Sequence, residues 1–309
     1  CIHGWPCKYR RPMVSEKFDI PVKSSFVPAV LQPNARIKFS CHQGISCFNA
    51  CCQHADIQLT PYDILRLKNN LGISATEFLK NHTVPFEMDK DGVPGVKLRT
   101  DNGGACGFVT DQGCRVYKDR PTACRYYPIG HMLMKRANDP EEESQYFLIQ
   151  EDHCKGHAEN REIAVDDYRN EQEIERYDQL NREWLQLMVK KRSAGPTIGR
   201  PSDTSLQFFF MCSYDLDRFR RFVLADSFKA SYDLPDAFYE SVEKEDLALL
   251  QFGVRLLNQV LFGDVTISLK ANALERRLEQ RREILELRKK AEIERHKQRQ
   301  EQQMKDALS

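Results

Sequence analysis

Eight of the eleven cysteines in this chain fall between residues 41 and 154. They are Cys41, Cys47, Cys51, Cys52, Cys106, Cys114, Cys124 and Cys154, spaced C-x5-C-x3-C-C, then 53 residues, then C-x7-C-x9-C, then 29 residues and a last cysteine. Three chemistries compete for such a set. Disulfides are one, since the number is even. Bridged frameworks, however, belong to small secreted domains without a core of their own, and adjacent cysteines do not readily bridge each other. Buried, inert thiols are another. That reading suits Cys212 inside "FFFMCSY" but not the eight, whose neighbours are largely Gly, Asn, Asp and Gln in turns. Metal binding is the third and the best supported, because thiolates are soft ligands for zinc and for iron–sulfur clusters, and "CFNACC", "GGAC" and "DQGC" are turn sequences on which sulfurs converge.

The number of ions stays open at this level. Eight thiolates satisfy two four-coordinate ions, one cluster with spare ligands, or one site with some structural cysteines. Side chains of adjacent residues diverge in regular backbone, so Cys51 and Cys52 are expected to serve neighbouring sites, or one to bind while the other guards it. His42, His54, His153 and His157 lie close to the cysteines and read as hydrogen-bond donors around the ligands or as surface residues rather than as ligands. The gap from Cys47 to Cys51 imitates the C-x3-C-x2-C opening of radical enzymes, but the next cysteine follows at once and the motif is not met. No G-x-G-x-x-G, P-loop, H-E-x-x-H or G-x-S-x-G occurs.

The cluster and its surroundings resemble the bacterial YkgJ-type cysteine-cluster family, described as a zinc- or iron-chelating domain. The resemblance is carried by "CHQGISCFNACC", "LTPYDILRL" and above all "CGFVTDQGCRVYKDRPTACRYYP", and it covers roughly residues 38–157. This chain opens C-x5-C-x3-C-C where the family's opening looks like C-x2-C-x2-C-C, so Cys41 and Cys47 match least well. The resemblance implies a metal without naming it. A related domain in flagellin lysine-N-methylases implies an alternative, a protein lysine N-methyltransferase-like enzyme, although no separate methyl-donor site is visible. Arg120, Pro121, Arg125 and Tyr127 belong to the matched stretch. The arginines are expected to offset thiolate charge, with binding of an anionic substrate or donor as the sharper alternative. Phe48, Phe108, Tyr117, Tyr126 and Tyr127 lie near candidate ligands and are expected to keep the site dry, which leans toward iron–sulfur over zinc.

The elements that must position these residues read as α+β: a small β/loop cysteine-rich metal domain packed with a predominantly helical C-terminal region. Residues 1–37 read as an irregular N-terminal segment punctuated by Pro6, Pro12, Pro21, Pro28 and Pro33, with "RIKFS" as a strand leading into residues 38–157, the cysteine domain. Thr60 caps a helix that Pro61 starts and Gly72 ends, and "SATE" opens a second short helix. Two hairpins follow, around Asp91-Gly92 and around Gln112-Gly113, and "QYFLIQ" adds a strand. Residues 158–268 form a helical region, beginning with one or two amphipathic helices at "REIAVDDYRNEQEIERYDQLNREWLQLMVKKR", then a linker at "RSAGPTIGRPSDTS", then helices over 204–230 and 236–262. The tail, 269–309, is charged. Leu274, Leu278 and Leu285 make little more than one heptad, so it reads as a solvated helix, with a helix that binds a protein partner as the alternative.

Composition excludes several partners. The 46 Lys+Arg nearly cancel the 45 Asp+Glu, which gives no general attraction to nucleic acid or to an anionic membrane. No run approaches the ~18 apolar residues a membrane span requires. "LQFFFMC" and "LALLQFGVRLLNQVLFG" read instead as buried helices. The chain opens on Cys1 without a charged-then-apolar leader. Its start reads as trimmed, and a cytoplasmic protein is expected.

Overall fold

The strand expected at "RIKFS" forms, and another precedes it within the segment expected to be irregular. A computed structural model describes residues 26–53, 55–135, 142–193 and 201–273, with isolated tail positions at 275, 279, 282 and 286. Strand β1 spans Phe26–Leu31 and β2 spans Arg36–Lys38. Pro28 sits inside β1, which sequence alone reads as a breaker. It is tolerated because β1 is an edge strand of the sheet β1–β8–β7, and the register slips between Val27 and Val30, where no ladder bond is required of it.

A single 3-10 turn, Ala50–Cys52, carries the cysteine doublet. Helix α1 (Pro61–Leu71) follows with a complete capping box. Thr60 accepts from the Asp63 backbone while Asp63 accepts from the Thr60 backbone, and Gly72 closes the helix in the left-handed conformation. Ser74 caps α2 (Ala75–His82) by accepting from the Glu77 backbone N–H.

The two expected hairpins form. The first pairs β3 (Thr83–Glu87) with β4 (Pro94–Leu98), and the second pairs β5 (Val109–Thr110) with β6 (Gly113–Cys114). In the second, the two-residue connection is Asp111–Gln112, one residue earlier than the sequence suggests. Thr110 Oγ1 fixes it by donating to the Gly113 carbonyl and accepting from the Gln112 N–H. A five-residue helix α3 (Thr122–Tyr126) then leads into β7 (Ile129–Lys135) and β8 (Glu142–Ile149), which pair antiparallel.

The segment "REIAVDDYRNE" corrects a sequence expectation. It begins not as a helix but as strand β9 (Glu162–Ala164), antiparallel to β2, with Ile163 opposite Ile37. Both isoleucines are buried. A partner so distant in sequence overrides the local helical period. Helices α4 (Val165–Glu171) and α5 (Ile174–Ser193) follow, separated at Glu173, whose φ is 55°. Helices α6 (Asp203–Ser213), α7 (Leu216–Leu224), α8 (Asp226–Lys229), α9 (Asp236–Lys244) and α10 (Asp246–Phe262) complete the described chain.

The architecture is therefore mixed α+β, with small antiparallel sheets in the N-terminal part and helices in the C-terminal part. Two apolar cores hold it. The larger joins α1, α2 and β4 to the C-terminal helices through Leu67, Phe78, Val96, Trp184, Phe219 and Leu256. The smaller lies under the three-stranded sheet and β2–β9, around Phe39, Tyr126, Ile129, Tyr146, Val165 and Tyr168. Helix α5 spans both, starting at Ile174 in the second core and reaching Trp184 and Leu187 in the first. Helices α6 and α10 press together closely enough that a Cβ on Gly253 would stand 2.8 Å from the Cys212 carbonyl oxygen.

Residues 1–25, with Cys1, Cys7 and three of the five N-terminal prolines expected to break the chain, lie outside the described residues, as do His54, the linker's 194–200 and the tail leucines Leu274, Leu278 and Leu285.

Candidate metal centre

The doublet is aimed by a short chain of hydrogen bonds. Asn49 takes the left-handed conformation (φ 67°) at the entry to the 3-10 turn, and its side-chain amide donates to the Thr110 carbonyl, 2.9 Å away, across the second hairpin. Gln43 donates to the Gln112 carbonyl of the same hairpin (3.2 Å). On the other side the Cys106 N–H donates to the Cys52 carbonyl (2.8 Å). The loop before Cys106 is shaped by Asp101, whose carboxylate accepts from the backbone of Gly103 and Ala105. Cys114 ends β6 opposite Val109.

Cys124 lies on α3, which hangs from α1 through Asp63. That carboxylate, with no exposed surface, accepts from the Thr122 N–H (2.8 Å), the Thr122 hydroxyl (2.7 Å) and the Thr60 N–H (2.9 Å). Burial pushes the Asp63 pKa up, and these bonds oppose the rise.

Cys154 reaches the same neighbourhood from the far end of β8. The Lys155 N–H donates to the Cys47 sulfur (3.1 Å), and the Ser40 N–H, next to Cys41, donates to the Gly156 carbonyl (3.1 Å). Only glycine fits at 156, because a Cβ there would stand 2.7 Å from the Phe39 ring and 2.8 Å from the Ser40 carbonyl.

Contrary to the expectation for adjacent residues, the Cys51 and Cys52 side chains do not diverge. Their sulfurs are 4.0 Å apart, because the 3-10 turn folds both toward one side. The contact between the two sulfurs, in which either can donate, lowers the Cys51 pKa to about 7, while that same contact and burial drive Cys52 up. Burial also raises Cys41, Cys106, Cys114 and Cys124, and mutual repulsion among the thiols adds to the rise. A set of close thiols cannot ionise together without a compensating cation.

Donor chemistry thus fits a thiophilic metal. All nine described cysteines are free thiols, and the eight of the cluster lie on turns and short elements near enough for the thiols to sense one another's charge. Cys212 is buried in the helical core on α6. Among the described residues, no group of three or more His, Cys, Asp or Glu side chains stands close enough to hold a metal ion.

The two arginines separate in role. Arg120 faces the thiols and lowers the Cys41 and Cys114 pKa values against the rise from burial, while stacking over the Tyr117 ring (4.0 Å) and donating to the Tyr117 carbonyl (2.7 Å). Arg125 is 2% exposed and works as a clamp on backbone. It donates to the carbonyls of Lys118, Arg120 and Gln172 and to the Tyr177 hydroxyl. These four bonds, with the Glu173 carboxylate 3.6 Å from the same guanidinium, commit most of its donors to the protein itself.

The aromatics differ too. Phe108 and Tyr126 are buried, but Tyr117 is 59% exposed, and Cys41 and Cys51 themselves face solvent, so the site is not dry. Of the histidines, the His42 ring accepts from the Gly44 N–H and lies 3.5 Å from Glu159, and His153 lies 3.5 Å from Glu151. His157, against the Phe39 ring, keeps both nitrogens buried without a hydrogen-bond partner. Sequence reasoning missed Asp63, although its place three residues after the Thr60 cap is a capping-box signal.

Residues 40–179 match the model of the CxxCxxCC family, described as a "putative zinc- or iron-chelating domain". The match covers a little under half of the chain, and that segment is similar to a cysteine-cluster domain so described. It runs past the cysteines through β9 and α4 into α5, the same stretch whose Gln172, Tyr177 and Asp178 receive hydrogen bonds from Arg125 and Tyr126. Neither the curated proteins nor the solved structures contained a match to the chain.

Proposed function

We propose that this chain is a metal-binding protein whose cysteine domain holds zinc or iron through Cys41, Cys47, Cys51, Cys52, Cys106, Cys114, Cys124 and Cys154. One observation carries the reading: free thiols from the 3-10 turn, the second hairpin, α3 and the loop after β8 are brought into mutual electrostatic reach by backbone hydrogen bonds that join those pieces to one another. The metal supplies the positive charge that lets these sulfurs exist together as thiolates, and it cross-links the loops that carry them.

The exposure of Cys41 and Cys51 favours zinc, an ion without redox chemistry, over an iron–sulfur cluster, which is better protected when buried. Anaerobic purification of the full chain with metal analysis and a visible spectrum tests this. A colourless protein containing zinc is the expected result. A brown protein with sulfur-to-iron charge-transfer absorption replaces zinc with iron, and freshly isolated protein with neither metal overturns the reading. No helix among the described residues is long and apolar enough to cross a membrane.

A further inference from the structure

We propose that the eight cysteines form two neighbouring thiolate sites, one of Cys41, Cys47, Cys51 and Cys154 and the other of Cys52, Cys106, Cys114 and Cys124, with the adjacent Cys51 and Cys52 divided between them. The proposal rests on the metal-binding reading above and adds the number of sites and the ligands of each.

Six of the cysteines fall into two groups of three. The first is bound together by backbone: the Lys155 N–H holds the Cys47 sulfur at 3.1 Å, and the Ser40 N–H holds the Gly156 carbonyl at 3.1 Å, so the segments carrying Cys41, Cys47 and Cys154 are laced to one another. Cys154 packs on the smaller core, beneath the sheet. The second group rests on the other core. Cys106 and Cys114 pack against the helical cluster, joined through the hairpin in which Cys114 pairs with Val109, and the Val109 N–H donates to the Cys106 carbonyl (3.0 Å). Cys124 stands on α3, which Asp63 fastens to α1, an element of that same helical cluster.

Each group is one sulfur short of the four that a zinc ion or a cubane cluster takes. The doublet supplies one to each. Cys52 belongs with the second group, because its carbonyl accepts from the Cys106 N–H at 2.8 Å. Cys51 turns to the first, being exposed like Cys41 and the strongest sulfur neighbour that Cys41 has. Cys51 also lies within electrostatic reach of Cys106, Cys114 and Cys124, which places it on the boundary between the two sites. The 4.0 Å between the doublet's sulfurs is close to the edge of a single tetrahedral zinc–thiolate shell, ~3.8 Å for bonds of 2.3 Å, so the doublet by itself suits one ion as well as two. The other six sulfurs favour two, because one four-coordinate ion takes at most four of the eight.

The test is the full chain produced in medium supplied with cadmium, a thiophilic probe, with cadmium counted per chain and observed by 113Cd NMR. Two cadmium ions and two resonances are expected. Cys154→Ala and Cys114→Ala should each keep one ion, losing different resonances. One cadmium per wild-type chain, or loss of the same resonance in both variants, overturns the division and leaves the metal-binding reading standing. Splitting of the two resonances by each other, the mark of a shared sulfur, overturns the separate assignment of Cys51 and Cys52. No bound cadmium overturns the metal-binding reading itself. Should Cys114→Ala fail to fold, the wild-type count still decides between one site and two, and Cys41→Ala, at an exposed position, replaces Cys154→Ala as a second probe of the first site.

Discussion

The buried carboxylate of Asp63 accepts from both the backbone N–H and the hydroxyl of Thr122, at 2.8 and 2.7 Å, and so joins the first turn of α1 to the first turn of α3. One acid thus caps its own helix and suspends the short helix that carries Cys124, fifty-nine residues beyond it and too brief to be stable alone. Removing the acid strands three donors in a closed environment. Asp63→Ala is expected to cost about 3 kcal/mol, at the upper end for orphaned buried groups, and to reduce bound metal. Urea unfolding and metal analysis of the same preparation check both. A variant of unchanged stability would show that α3 is held by other contacts.

Arg125 gives a prediction about chemistry rather than charge. Its guanidinium reaches three carbonyls and the Tyr177 hydroxyl from one plane and stacks over the Tyr177 ring at 4.1 Å. Lysine keeps the charge but offers one point of donation instead of a fork. Arg125→Lys should therefore lose about 3 kcal/mol, as when a buried ionic network is broken, despite being a conservative change. A melting temperature equal to that of the parent would refute the clamp.

Asp246 ties α10 to α1 and α7, accepting from Lys68 and Arg220. Burial pushes its pKa up, but the two bonds outweigh burial and hold it below the ordinary carboxylate value. A pKa depressed on folding contributes stability that is fully present above the unfolded value of about 4 and is lost as the pH falls through the lower folded value. Asp246→Asn should cost roughly 3 kcal/mol at neutral pH. The gap between parent and variant should stay constant down to pH about 4 and close below it. Denaturant midpoints at several pH values measure the gap, and a gap that closes on going alkaline would reverse the assignment.

The division of the cysteines predicts opposite outcomes at two positions. Cys124→Ser should lose metal and fold poorly, since the thiol sits on the element that closes the cluster. Cys212→Ser should keep the full metal content and lose only about 1 kcal/mol, the typical cost of placing a polar group in a core position that can still bond to its own helix. Metal analysis separates the two, and equal loss in both would contradict the placement of Cys212 outside the cluster.

What was legible in the residues is local. The Thr60–Asp63 cap, the Gly72 stop, the hairpin at Asp91–Gly92 and the strongly apolar α6 and α10 follow from short-range backbone chemistry, which neighbouring residues suffice to specify. The strand β9 was not legible, because Ile163 is extended only by virtue of Ile37 opposite it. Nor was strand β1, whose Pro28 argues for irregular chain until its edge position is known. Arg125 looked like a counter-charge for thiolates and proved to be a clamp on carbonyls, since the direction of a long side chain is set by what packs around it.

By itself, the sequence determined that this protein carries eight cysteines at turn-rich positions, that they fit a soft metal, and that helices make up much of the remainder. Tertiary structure decided which thiols become neighbours. Sulfurs more than a hundred residues apart in sequence come near one another only because the Lys155 N–H bonds to the Cys47 sulfur, the Cys106 N–H bonds to the Cys52 carbonyl and Asp63 holds α3 against α1. Spacing along a chain limits which residues can meet. Which ones do meet is settled by hydrogen bonds and packing between segments that have no local preference for one another.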